Sequence, residues 1–237
     1  MSDNSKPVSA DLSSAIAEEI RGAIISGQLI VDARLPSESE LSQRFSVSRS
    51  TVREALKRLA AQSLIRTQRG ASGGAFVNRL SYEEARAHHV TTSTLLLSMN
   101  GVDFATACAA RFALERACAA LAAEHRDAQH IARMETEFSL QNQTSLSDEA
   151  FCASDVRFHR ALVDATQNPV LCYQMAGAVE AMQPLMNMLT YNRRSREGIL
   201  LQHEAILDAL KNRDVSAIEA ALNTLCKETL DLAQTMR

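Results

Sequence analysis

Two groups of residues in this 237-residue chain could do chemistry, and each asks for a different partner. The first is Asp155 and His159, four apart in Ser154-Asp155-Val156-Arg157-Phe158-His159-Arg160, with His203 further along. Four residues is just over one helical turn, so a helix would present the carboxylate and the imidazole on one face. One carboxylate and two imidazoles suit a divalent ion such as Zn, Ni, Fe or Mn. An i,i+4 Asp/His pair is more often a surface ion pair, so the spacing alone leaves both readings open. A metal-dependent enzyme using the same three groups is a further alternative, but no convincing base or nucleophile stands beside them, and Ser154 lacks an evident activating set.

The second group is Ser48, Arg49, Ser50, Thr51 and Arg53, short hydroxyls and long guanidiniums at the start of an amphipathic segment. Between Arg44 and Arg79 stand eight Lys or Arg against one acid, Glu54, while the whole chain carries a net charge of −3. A basic module inside an acidic chain is what phosphate binding requires; a solvated helix face is the plainer alternative.

The elements that would position this second group are legible. Pro36 followed by Ser37, with Glu40 three residues later, is a capping box that opens a short helix over 38–45. Val47-Ser48 makes a turn, and Ser48 or Ser50 caps a second helix with Val52, Ala55, Leu56 and Leu59 on its apolar face. Residues 64–68 and 75–77 then alternate as strands around Arg69-Gly70-Ala71-Ser72-Gly73-Gly74, a turn with a cation at its tip. These glycines lack the spacing of a nucleotide-binding loop, and no helix follows directly. Helix, turn, reading helix and wing make a winged helix-turn-helix.

The remainder predicts a different architecture. Ala and Leu are abundant, aromatics are 4% and only four prolines occur, so the second part reads as nearly all helix. Turn signals at Asn100-Gly101, 145–148, Asn168-Pro169, 192–195 and 212–214 separate six or so helices of an antiparallel bundle. The predicted organisation is a disordered tail over 1–10, a DNA-binding domain over 11–78, a linker over 79–85 and an all-helical domain over 86–237. No apolar run is long enough to span a membrane and the start is polar, which predicts a cytoplasmic protein without a signal segment. The cysteines, Cys108, Cys118, Cys152, Cys172 and Cys226, form no C-x-x-C pair and read as reduced core residues. Met182, Met186 and Met188 beside Pro184 read as core, or as a helix kinked at the proline.

Leu35-Pro36-Ser37-Glu38-x-Glu40-Leu41, then Val47-Ser48-Arg49-Ser50-Thr51-Val52-Arg53-Glu54-Ala55-Leu56, then Leu64-Ile65 and Gly70, resemble the N-terminal domain of GntR-family bacterial transcription regulators. The resemblance implies that Ser48, Arg49, Ser50, Thr51 and Arg53 contact DNA and that Arg69 and Gly70 approach the minor groove. Two departures stand out. Ser39 occupies a position where many members carry a DNA-contacting arginine, and Asp32-Ala33 replaces the usual Pro-Gly.

Phe151 to Pro169 and Arg111-Phe112-Ala113-Leu114-Glu115 resemble the helical FCD ligand-binding domain of the FadR-type branch. In metal-binding members Asp155, His159 and His203 would be ligands, with a fourth histidine where this chain has Leu225; Cys226 is adjacent but turned by about 100 degrees on a helix. Loss of the metal, with the same groups hydrogen-bonding an effector directly, is the alternative. The resemblance also implies that Arg111 binds an effector carboxylate, against a surface or helix-packing arginine paired with Glu115. The resulting expectation is a mainly α, homodimeric repressor that reads an inverted repeat in double-stranded DNA under control of a small carboxylate or acyl effector, with a divalent metal such as Zn or Ni as possible cofactor. An effector-independent architectural DNA binder is the rival.

Overall fold

In a computed structural model the protein is described over residues 9–70, 73–99, 101–184, 186 and 195–234. The expected tail lies almost wholly outside these residues, as do Met188, Asn100, Ala71 and Ser72 and most of the turn at 192–195. The chain forms two compact units that part between Glu84 and Ala85.

The first unit holds α1 (Ser9–Ile25), α2 (Glu38–Arg44), α3 (Arg49–Ala61) and a hairpin of β1 (Ile65–Gln68) and β2 (Gly74–Val77). Ser37 and Glu40 close the capping box that starts α2. Ser48, rather than Ser50, caps α3, its Oγ accepting from the Thr51 amide. The antiparallel hairpin pairs Ile65 with Val77 and Gln68 with Gly74, and Arg34 bridges to Phe76 on the outer side of β2. Ile16, Ile20, Leu41, Val52, Leu59, Ile65 and Val77 make one core from all five elements.

The second unit contains most of α4 (Tyr82–Ser98), then α5 (Phe104–His125), α6 (Ala128–Gln141), α7 (Asp148–Asp164), α8 (Pro169–Val179), α9 (Arg196–Asn212) and α10 (Val215–Gln234). Side-chain caps start these helices: Asp103, Asp127, Ser147, Asn168 ahead of Pro169, and Ser195. α4 begins inside the stretch read as a linker, because Ser81 and Glu84 form a capping box of their own. The core joins α5, α6, α7, α9 and α10 through Phe112, Met134, Phe158, Leu162, Ile206, Leu210, Ile218 and Leu222. Met182 and Met186 belong to it. Cys108, Cys118 and Cys152 are buried, Cys172 and Cys226 half-buried, and no disulfide joins them. No helix among the described residues is long and apolar enough to cross a membrane.

Two details fix the ends of this bundle. Arg126, at the end of α5, donates to the carbonyls of Leu210 and Lys211 at the end of α9. Arg213, in the left-handed conformation at the end of α9, donates back to the carbonyls of Ala123 and Glu124. Each arginine thus satisfies the orphan carbonyls of the other's helix. On the opposite side, Gly177 of α8 meets α4 so closely that a Cβ there would fall 2.8 Å from Ser93 Oγ and nearer still to the His89 ring, which stacks on Tyr173.

Candidate nucleic-acid interface and buried polar centre

On the first unit, Arg49, Ser50 and Arg53 are exposed at the N-terminal end of α3, where free amides and the helix dipole favour anions. Arg49 Nη2 donates to Ser39 Oγ at 3.0 Å, so the residue that replaces the family arginine holds the neighbouring guanidinium instead. Arg53 makes a two-point contact with Glu38, at 3.2 and 2.8 Å. That hydrogen-bonded guanidinium holds the Glu38 carboxyl below its usual range. Thr51 is buried with its hydroxyl 2.8 Å from that of Ser48, so the structure gives both a capping task at the head of α3.

The surplus of positive charge counted in the sequence is partly answered in space. Arg44 pairs with Glu19, Arg53 with Glu38, Lys57 with Glu54, and Arg66 and Arg79 both with Asp32. Arg58 turns inward to Ser14 on α1. Among the described residues Arg49 and Arg69 form no ion pair, and they sit at the head of α3 and at the wing. Asp32, the second departure from the family pattern, takes a left-handed backbone (φ 66°) and accepts from two arginines. Arg79, then Arg66, hold its carboxyl below the usual range. In the wing, Gly70 has φ 107°, Gly74 has φ 145°, and Arg34 donates to the Gly73 carbonyl.

On the second unit, α7 carries Asp155 and His159 inward and α9 brings His203 to them, with one donor atom from each within 4.8 Å of the others. All three are buried. His159 Nδ1 lies 3.0 Å from Glu115 Oε2 on α5, and His203 Nδ1 lies 2.7 Å from Gln141 Oε1 on α6. His203 Nδ1 is hydrogen-bonded and His159 Nδ1 lies against the Glu115 carboxylate without hydrogen-bond alignment, while the Nε2 atoms face Asp155 Oδ1, at 3.9 Å from His159 and 3.4 Å from His203. An acceptor behind each imidazole is the support that metal-binding histidines need, because it fixes the tautomer and leaves the other nitrogen's lone pair for the ion. The donor set fits a divalent ion with three protein ligands, the count that leaves a coordination position open. Leu225 is buried in the core and supplies no fourth donor.

The set extends further than the sequence indicated. Gln141 donates to Ser154, which in turn donates to Glu137. Phe158 stacks under His203, ring centroids 4.1 Å apart. Arg111 is 1% exposed and its Nε donates to Glu115 Oε1 at 3.1 Å, so this arginine is buried, not on the surface. Burial pushes the Glu115 carboxyl up, but His159 and Arg111 outweigh it and hold the group at about 2. Burial likewise opposes the charge of Arg111, and Glu115 with Asp155 outweighs it. One turn from Arg111, Glu115 is legible in the sequence only as its partner; in space it joins Arg111 to His159. Gln141 had no signal at all, since an amide at a helix end is commonplace until its neighbours are known.

Comparison with known proteins gives the same division. Residues 106–227 match the FCD domain family, and residues 12–77 match the family described as bacterial regulatory proteins, gntR family. The chain is 29% identical over 222 residues to the galactonate operon transcriptional repressor of Escherichia coli (strain K12), covering 89% of this chain and 92% of that protein. It is 28% identical over 229 residues to the HTH-type transcriptional repressor NanR of Klebsiella aerogenes, covering 91% and 83%. Among solved structures, Streptococcus agalactiae GntR shares the fold with a TM-score of 0.57 at 18% identity, over 92% of this chain and 99% of that one. With the FCD match alone spanning more than half of the chain, the protein belongs to the GntR family of bacterial regulatory proteins, as a DNA-binding transcription regulator with an effector-binding FCD domain.

Proposed function

We propose that the protein is a homodimeric repressor whose hold on an inverted-repeat operator is controlled by a small carboxylate bound at Arg111, next to a divalent metal such as Zn or Ni held by Asp155, His159 and His203. The observation that carries this reading is the convergence of two buried imidazoles, each backed at Nδ1, on one carboxylate oxygen beside a buried guanidinium. Charge favours the pairing of metal with anion. With neutral imidazoles, Arg111 against Glu115 and Asp155 leaves one negative charge in excess, which would repel a carboxylate. A divalent ion would reverse that excess, and a monocarboxylate would then neutralise it. Bound there, the ion would supply positive charge and an open coordination position.

The residues of the chain divide the work. Glu115 and Gln141 orient the imidazoles, Phe158 fixes the plane of His203, and Arg111 offers its remaining N–H groups to the effector. Self-association has a surface to use: Ala109, Ala110, Ala113, Leu114, Ala117 and Ala120 are exposed along one face of α5, where small side chains let an identical helix approach closely. Two reading helices related by a twofold axis would demand a twofold operator. Repression is the role that the names of both relatives carry.

The test is the metal content of untagged protein beside an Asp155→Ala/His159→Ala variant. About one equivalent of metal in the wild type, absent from the variant, supports the centre. Metal-free wild type whose operator binding still responds to a carboxylate overturns the metal part, and Arg111→Ala then asks whether the guanidinium alone holds the effector.

A further inference from the structure

Arg111 also lines a cavity of about 280 Å3 formed by α4, α5 and α8. Its Nη2 is buried and has no hydrogen-bond partner among the described residues. Among the described residues no other Arg or Lys, and no Asp or Glu, lines this cavity. The wall is otherwise mainly apolar, with Leu96, Leu97, Val102, Ala107, Ala178 and Met182. Its few polar groups are largely committed. The Thr106 hydroxyl donates to Asp103, the His89 ring is stacked on Tyr173 at 4.7 Å, and Gln174 is exposed. The Ser93 hydroxyl and the ring nitrogens of His89 are what remain for a hydroxylated ligand inside, with the Gln174 amide at the exposed edge.

Resting on the reading that Arg111 holds the effector's carboxylate, we infer that the effector is a monocarboxylate with an apolar body, and not a polyhydroxylated acid or a dicarboxylate. By volume, set against an apolar cavity of roughly 150 Å3 that takes benzene, this pocket has room for about a dozen non-hydrogen atoms, and it opens to water beside the exposed Leu96, Thr106 and Gln174. A ligand with several hydroxyls outnumbers the few polar groups of this wall, and each hydroxyl left without a partner costs about tenfold or more in affinity. A second carboxylate meets the same wall without a second cation, at a larger cost. Selectivity then comes from what the cavity refuses: Arg111 attracts every carboxylate, and the apolar wall rejects those whose bodies need water.

The experiment is calorimetric titration of the full-length, metal-loaded protein with 4-methylpentanoate, threonate and glutarate, three acids of similar size. 4-Methylpentanoate should bind at least about tenfold more tightly than either of the others. Ala178→Leu, which fills the cavity from α8 and leaves Arg111 in place, should abolish its binding while thermal unfolding stays cooperative. Threonate or glutarate binding as tightly, and losing that affinity in Arg111→Lys, overturns the apolar class but leaves the Arg111 reading standing. Failure of all three acids to bind overturns the class and removes the support for Arg111 as well. Undiminished binding of 4-methylpentanoate to Ala178→Leu overturns the assignment of this cavity.

Discussion

Arg53 and Arg111 are each an arginine paired with a glutamate, and they could hardly differ more in what the pair does. Arg53 meets Glu38 with both side chains in water, 59% and 38% exposed; Arg111 meets Glu115 with 2% and 0%. In water such a pair adds little to stability and is screened by salt, so it can open when a better anion arrives. Inside the bundle the same charges belong to one buried set with His159 and Asp155 and are shut off from water, so removing one leaves the others short of compensation. The DNA-binding head therefore keeps its cations in exchangeable pairs, while the effector unit locks its charges into one connected set. A surface that must trade partners is built from weak contacts; a centre that must hold a geometry is built from strong ones.

Breaking the buried pair should have the largest effect. Glu115→Ala should destabilise the second unit by about 3–5 kcal/mol, the usual cost of leaving a buried charge without its partner, read from chemical denaturation; a loss no greater than that of a surface substitution would mean that water reaches Arg111. Next comes Arg49→Ala, with an expected loss of roughly tenfold in operator affinity and a salt slope shallower by about one. Circular dichroism should be unchanged, and undiminished affinity would remove α3 as the reader. Ser39→Ala should be milder, a few-fold at most, because it frees the Arg49 guanidinium without removing it; restoring arginine at 39 should instead shift operator preference, which selection from a randomised site would reveal. The smallest effect concerns Cys118. Burial, then the charge of Glu115, pushes its thiol up to about 11, so at pH 8 it should resist iodoacetamide in the folded protein and react only after unfolding.

The same contrast explains what could be read without coordinates. Elements of the head were legible because their signals are local: the Ser37–Glu40 box, the apolar interval from Val52 to Leu59 and the glycines of the wing all act within a few residues. Asp155 and His159 were legible for the same reason, being one turn apart. What had no local signature was the company they keep. Gln141 stands 62 positions before His203 along the chain, and nothing in its immediate sequence marks it out. The answering acids of the head were also hidden, because Glu19, Asp32 and Glu38 lie outside the 44–79 segment whose charge was counted. The Ser81–Glu84 capping box was local and could have been read; it places the start of α4 inside the stretch taken for a linker.

The tight meeting of α4 and α8 at Gly177 has a consequence of its own. That glycine has no room for a single methyl group unless the His89 and Ser93 side chains give way, because a Cβ there would press on both. α4 is also the first helix after the hairpin, so the chain that runs from the effector unit back to the reading helix passes along it. Gly177→Ala would thus displace two side chains that line the ligand cavity, with no ligand present. Position 177 is where a single methyl group would reshape the border of the ligand cavity before any ligand arrives.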